Sequence, residues 1–205
     1  MDIKELFSKF KQEDYFSKIN LHIHSNLSDG KYSFEELIKQ AQEINLEYIS
    51  ITDHNTLEGH KKFQHPMLIK GVEFDCIHNG ILCHILGYGI DVENEKLNSL
   101  CTNPYIHSVF RLLKSRPAKN VIKAIHDANG IAILAHPCCS TTFCLENFVK
   151  ELMEFGLDGL EVNYPYKRLE GIVKFSSKKL PYIIAKKYNL LQTGGTDAHK
   201  ELCLL

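Results

Sequence analysis

The sequence predicts a single α/β domain whose strands curl into a barrel, on three observations. Strand-like and helix-like segments alternate along most of the 205 residues, the pattern of β–α–β units around a parallel sheet. Histidine, aspartate and glutamate stand at or just beyond the C-terminal ends of several strands, at His22, His24, His54, Glu73, His136, Asp197 and His199. An open sheet would spread such strand ends along a line, whereas a ring gathers them at one mouth, where barrel enzymes keep their active sites.

In chain order, residues 1–17 read as an arm or short helix before a domain spanning 18–205. The arm mixes Asp2, Lys4, Glu5 and Lys9 with apolar residues, unlike a signal peptide or a membrane span. Ile19, Leu21 and Ile23 then alternate with Asn20, His22 and His24, a strand that sets both imidazoles on one face, about 7 Å apart. A turn with Asp29 and Gly30 follows, and Ser33 with Glu36 forms a capping box for a helix carrying Phe34, Leu37, Ile38, Ala41 and Ile44. Tyr48 to Ile51 is a second strand running into T-D-H-N, and a short helix precedes a third strand from Met67 to Phe74. Ile81 to Gly87 is a fourth, with His84 inside it.

From Asp91 to Arg116 the pattern is polar and poorly periodic, and short helices over one rim are expected there. Pro117 suits the first turn of a helix with Val121, Ile122, Ala124, Ile125 and Ala128 on its apolar face, stopped by Gly130. Ile131 to Ala135 is a strand that delivers His136. A helix from about Leu145 to Phe155 leads to a sixth strand around Leu160 and Val162. A last helix at about Leu180 to Tyr188 leads to Leu190–Thr193 and the closing run G-G-T-D-A-H.

Net charge is −1 with no long basic block, so bulk electrostatics favour neither nucleic acid nor membrane. Seven cysteines without a C-x-x-C pair point to a reducing cytoplasm and to no disulfide framework. Cys76, Cys83 and Cys101 read as small apolar residues, and Cys138 and Cys139 as filler beside His136. The compositional outlier is histidine, with eleven residues.

Imidazole and carboxylate together suit manganese, iron or zinc rather than calcium or magnesium alone. The candidate ligands are His22, His24, Asp29, His54, Glu73, His84, His136, Asp197 and His199. These are too many for one tetrahedral ion; two or three ions are expected, with a carboxylate such as Glu73 bridging. Asp53 is expected to orient an imidazole rather than to bind metal.

The motifs H-I-H-S-N-L-S-D-G, I-T-D-H-N, G-V-E-F, L-A-H-P and T-G-G-T-D-A-H, in this order, resemble those of the PHP family, the polymerase and histidinol phosphatase domains. The likeness is nearest to its stand-alone metal-dependent phosphoesterases. It implies a distorted seven-stranded β/α barrel with a trinuclear site: His22, His24, Glu73 and Asp197 on one metal, Glu73, His84 and His136 on the second, and Asp29, His54 and His199 on the third. It further implies hydrolysis of a phosphomonoester by a metal-activated hydroxide, with Asp197, His199 and Glu73 catalytic. The substrate would be a nucleotide, a nucleoside bisphosphate or the 5′ end of a short oligonucleotide.

Relatives often carry a helical insertion where this chain has only residues 91–116, and an Arg after L-A-H-P where it has Cys138 and Cys139. Lys167 and Arg168, then Lys31 and Lys200, are the candidate phosphate clamps in its place, against a reading as solvated surface charges. The rival functions are a histidinol-phosphate phosphatase, a non-catalytic PHP module that regulates a partner, and C–N hydrolysis of the amidohydrolase type. The extra ligands Asp29, His54 and Glu73 disfavour the last.

Overall fold

The computed structural model describes residues 3–102, 115–166 and 177–205. Helix α1 (Ile3–Lys9) and a 3-10 turn (Gln12–Phe16) lead into β1 (Ile19–Ile23), α2 (Phe34–Glu43), β2 (Tyr48–Ile51) and α3 (Glu58–Lys62). A hairpin of β3 (Gly71–His78) and β4 (Ile81–Tyr88) follows, then α4 (Glu95–Ser99), the two-residue β5 (Arg116–Pro117) and α5 (Ala118–Asp127). The chain continues through β6 (Ile131–Leu134), a 3-10 turn (Pro137–Cys139), α6 (Leu145–Met153), β7 (Gly159–Asn163), α7 (Leu180–Lys187) and β8 (Leu191–Gly194).

The capping box forms as the sequence predicts. Ser33 N–H donates to Glu36 Oε2 at 2.8 Å and Glu36 N–H to Ser33 Oγ at 3.3 Å. The amphipathic face of α5 buries Val121, Ile122 and Ile125 in one core with Val72, Phe74 and Ile85 of the hairpin, Leu134 of β6 and Phe148 of α6.

Two expectations are corrected. The sheet is not all parallel: β3 pairs antiparallel with β4, and β4 antiparallel with β6. The cause is local, since Asn79 and Gly80 both take positive φ, 49° and 77°, the two-residue Asn-Gly turn that suits the twist of a hairpin. β3 also starts later and runs further than Met67–Phe74, because its second half is held by the hairpin partner.

The ring, moreover, is not closed by continuous pairing. The described strands form a two-stranded sheet, β1–β2, and a six-stranded sheet in the order β5-β3-β4-β6-β7-β8. At the two seams between them the pairing is reduced to isolated bridges, Ile23 to Ala198 on one side and Ile49 to Leu68 and His54 to Glu73 on the other.

Period-2 alternation sorts the interior. On β4, His84 lies toward the mouth, while Leu86 and Tyr88, on the same face, are fully buried further down. Tyr88 packs against Phe7 of α1, the ring centroids 5.3 Å apart and the planes tilted by 51°, so the N-terminal arm plugs the base of the ring. Tyr15 Oη donates to Gln192 O at 3.1 Å and Lys4 pairs with Asp158 at 2.7 Å, which fastens the plug. Among the described residues, no helix is long and apolar enough to cross a membrane.

Candidate metal centre

All nine expected ligands reach one end of the ring. β1 carries His22 and delivers His24, and the next turn brings Asp29 back beside it. There the close packing of backbone requires Gly30: a Cβ would lie 2.0 Å from His24 O. His54 follows β2, Glu73 lies on β3, and His136 follows β6 in the left-handed region, with φ of 27°. His84 is the ligand inside a strand, and the hairpin explains it. An antiparallel β4 enters from the mouth, so an early residue faces the site, and His84 stands opposite Asp75 of β3.

After β8 the chain crosses over His22 so closely that a Cβ on Gly195 would stand 2.4 Å from His22 Cβ. Asn20 fixes the crossing through Thr196, accepting from its N–H at 3.0 Å and donating to its Oγ1 at 2.7 Å. Asp197 then takes φ of 51°, a conformation that Asp and Asn tolerate better than most residues.

Glu73 is the hub, with 1% of its surface exposed. Its Oε2 lies 3.2 Å from Nε2 of His22 and of His24 and 3.3 Å from Nε2 of His54. Its Oε1 lies 2.8 Å from His84 Nδ1 and 3.1 Å from His136 Nε2. Asp197 Oδ1 is 3.0 Å from His24 Nε2 and 3.5 Å from His22 Nε2. Asp29 lies 3.4 Å from His199 Nε2, 3.5 Å from His24 Nδ1 and 3.7 Å from His54 Nε2.

Sets of ligand atoms within 4.8 Å of one another include Glu73 with His84 and His136, His22 with His24 and Glu73, His22 with His136 and Asp197, and His24 with Asp29, His54 and His199. Glu73, His84 and His136, the second group expected, lie together in one of these sets. His24 stands between the first and third groups.

The residues fit a metal by a test independent of likeness. Both ring nitrogens of His24 are buried without an aligned hydrogen bond, although buried polar atoms nearly always have one. A cation would take the one lone pair of the neutral ring, at Nε2, and leave the Nδ1 proton toward Asp29, 3.5 Å away. The electrostatics agree. Burial opposes charge on His22, but Glu161, Glu73 and Asp197 outweigh it and hold the imidazole well above its ordinary value. His24, equally buried, is pushed up to about 10 by Asp197 and Glu73.

The carboxylates move the other way. Despite burial, Glu73 is held well below the usual range by His54, His22, His84 and His136, and Asp197 by His22 and His24. Asp29 is lowered through His199, His24 and His54. His54 is the exception among the imidazoles, lowered because burial and its imidazole neighbours outweigh Glu73 and Asp75. Without metal, then, the raised imidazoles His22, His24 and His136 favour their protons beside a buried nest of carboxylates, and a divalent ion would displace them.

Three residues of the site escape the ligand motifs. Glu161 on β7 is fully buried, with Oε1 2.9 Å from His22 Nδ1 and Oε2 accepting from the His136 N–H at 2.8 Å. Asp75 lies 3.2 Å from His54 Nδ1 and 3.3 Å from His84 Nε2. Tyr164 Oη donates to Asp197 Oδ2 at 2.8 Å. The signals were present: Glu161 is a charged residue flanked by Leu160 and Val162 within a strand, and Asp75 shares the face of Glu73 two residues earlier.

Asp53 does not orient an imidazole. Its carboxylate accepts from Ser25 N–H at 2.7 Å, Ser25 Oγ at 2.6 Å and Ser28 Oγ at 2.6 Å, and so braces the turn between His24 and Asp29.

Lys31 points along the surface to Glu201 at 3.4 Å, and Lys200 is exposed. Lys167 and Arg168 lie outside the described residues, as does much of the 91–116 stretch. Cys76, Cys83 and Cys138 are buried thiols, whereas Cys139 is exposed.

The profile of the PHP domain matches residues 20–154. The chain is 22% identical over 253 aligned positions to the phosphoribosyl 1,2-cyclic phosphate 1,2-diphosphodiesterase of Eggerthella lenta, covering 88% of this chain and 93% of that one. Its fold superposes with a TM-score of 0.74 on a protein of Bifidobacterium adolescentis assigned as a metal-dependent phosphoesterase, at 19% identity over 90% of this chain and 88% of the other. It superposes equally well, at 0.74 and 19% identity, on an amidohydrolase of Chromobacterium violaceum solved with bound sulfate and no metal, covering 89% and 88% of the two chains. The profile match takes in His22 through His136, the heart of the centre described above, and on it the chain belongs to the PHP domain family.

Proposed function

We propose that this PHP-family metal-dependent phosphoesterase removes the phosphoryl group from a small phosphomonoester: a nucleotide, a nucleoside bisphosphate or the 5′ end of a short oligonucleotide. The observation that carries the reading is the sharing of one buried carboxylate, Glu73, among five imidazoles. A single ion needs only about four ligands, so the set suits two or three ions of manganese, iron or zinc. His22, His24, Glu73 and Asp197 would hold one, Glu73, His84 and His136 a second, and Asp29, His54 and His199 a third. When bound, such ions supply a water of lowered pKa and neutralise charge on the phosphoryl oxygens.

The chain's own groups do the positioning. Glu161 accepts from the Nδ1–H of His22, which leaves Nε2 facing the centre. Tyr164 holds Asp197 by its second oxygen. His199 has the most open imidazole of the set, 39% exposed, with Nδ1 2.9 Å from the Asp197 carbonyl. That carbonyl can only accept, so the ring is fixed with Nε2 toward Asp29 and the rim, where a leaving oxygen would depart.

The Eggerthella lenta relative supports a second reading, a cyclic phosphodiester. That alignment is longer than this chain, so the relative carries residues without a counterpart here. A non-catalytic module is disfavoured because every expected ligand is retained and converges.

The test is turnover by manganese- or zinc-loaded protein of p-nitrophenyl phosphate, nucleoside mono- and bisphosphates and a cyclic phosphodiester, beside an amide and lactone panel. Asp197→Asn keeps the shape and tolerates positive φ, so it should lose at least about two orders of magnitude with the fold intact. Undiminished turnover by that variant, or hydrolysis confined to the amide panel, would overturn the reading.

A further inference from the structure

We infer that Asp75 is a positioning residue that locks His54 and His84 into opposite tautomers, so that each presents a lone pair to the Glu73 side of the site. The inference rests on the metal-centre reading above and assigns a role to a residue outside its ligand groups.

Asp75 lies two residues beyond Glu73 on β3, so both side chains project from one face, and it is 1% exposed. Its Oδ1 sits between two imidazoles, 3.2 Å from His54 Nδ1 and 3.3 Å from His84 Nε2. The other nitrogens of the same rings face Glu73, His54 Nε2 at 3.3 Å and His84 Nδ1 at 2.8 Å. A carboxylate only accepts. Glu73 is an acceptor too, so the choice falls to the metal: with a cation on the Glu73 side the nitrogens there would have to offer lone pairs, and the protons would go to the nitrogens beside Asp75, Nδ1 of His54 and Nε2 of His84.

Asp75 is itself pinned. Asn55 Nδ2 donates to Asp75 Oδ2 at 2.5 Å, the Asp75 N–H donates to Asn55 Oδ1 at 3.0 Å, and Arg116 Nη1 donates to the same Asn55 oxygen at 2.7 Å. Two donors on Asn55 Oδ1 forbid that amide from flipping. The three groups could instead hold a cation of their own. The Arg116 guanidinium, held on the Asn55 oxygen beside Asp75, opposes a further cation there and argues for the positioning role.

The rigid amide makes Asp75→Asn a sharp test. Asn55 still needs an oxygen opposite its Nδ2, so the new amide must turn its NH2 toward the two imidazoles. His54 then has to offer Nδ1 as acceptor, moving its proton to Nε2 and withdrawing that nitrogen from metal. Wild-type and variant proteins would be stripped with chelator and titrated with zinc against a competing dye. Imidazole nitrogens would be read by long-range proton–nitrogen correlation in the zinc-loaded state.

The expected result is zinc binding weakened by about 10- to 100-fold, with His54 shifted to the Nε2-protonated form. In Asp75→Ala, formate should restore affinity and tautomer where chloride does not. Three results would each overturn the inference: wild-type affinity and nitrogen signatures in Asp75→Asn, loss of one zinc with both histidine signatures unchanged, or failure of formate to rescue Asp75→Ala. The formate arm decides if Asp75→Asn does not fold. Failure of wild-type protein to bind zinc would instead remove the underlying metal-centre reading.

Discussion

Glu73→Gln tests the hub of the site. Glutamine fills the same volume, so the buried packing around β3 persists, but an amide replaces the anion that five imidazole nitrogens approach at 2.8–3.3 Å. Whichever way the amide turns, an NH2 group confronts nitrogens that need an acceptor or a shared cation. Removing one partner from a buried, desolvated charge pair costs about 3–5 kcal/mol. At about 1.4 kcal/mol per decade that is roughly two to three and a half orders of magnitude in metal affinity. Chelator-stripped wild-type and variant protein would be titrated with zinc and with manganese in competition with a dye. Bound metal would then be counted by elemental analysis, and turnover followed on p-nitrophenyl phosphate. Affinity and turnover within tenfold of wild type in Glu73→Gln would refute a shared bridging carboxylate.

Further expectations follow from the same geometry. In metal-free protein His22, His24 and His136 titrate above the ordinary imidazole value; their stabilising contribution is whole below about pH 6.5 and fades as the pH climbs through the folded values, about 10 for His24. Asp29, Glu73 and Asp197 titrate low, so theirs is present above about pH 4 and lost under stronger acid. Thermal melts of stripped protein should thus peak at about pH 4.5–6.5, whereas metal uptake should release protons and tighten as pH rises; a metal-free melting temperature that increases from pH 6 to 9 would contradict the sign. Phe7→Ala should cost about 3–5 kcal/mol by opening the base of the ring, read by calorimetry as a fall of roughly 6–20 °C, with zinc affinity unchanged. Ser33→Ala should cost about 1 kcal/mol through the lost cap of α2, again without effect on metal.

The fold and the ligands were legible in the sequence to different depths. Apolar alternation around His22 and His24, the Ser33–Glu36 cap and the Gly130 stop are local signals, and each element appears near its expected place. The direction of β4 was written in Asn79-Gly80, but the alternation of strands and helices elsewhere argued for parallel neighbours and outweighed it. Ring closure depends on pairings between residues as distant as Ile23 and Ala198, which no local pattern records. The convergence of the candidate ligands was readable because imidazole and carboxylate at strand ends have few other uses. For Asp75 and Glu161 the sequence carried a sign of burial, a charge within an apolar strand or a face shared with Glu73, but no sign of which imidazole each would hold. Asp53 shows the converse error: its place beside His54 in T-D-H-N suggested a partner for a ring, yet the backbone turns it toward Ser25 and Ser28.

The two seams described above have a consequence for how the molecule behaves in a metal-poor cell. His22 and His24 lie on or just after the small sheet and Glu73, His84 and His136 on or just after the large one, so cations held among them would act as rivets across joints held by only a few backbone hydrogen bonds. Scarcity of metal should therefore loosen the small sheet before the rest of the chain yields. Amide exchange in β1 and β2 would report it first, and the supply of ions would set the protein's lifetime as well as its turnover.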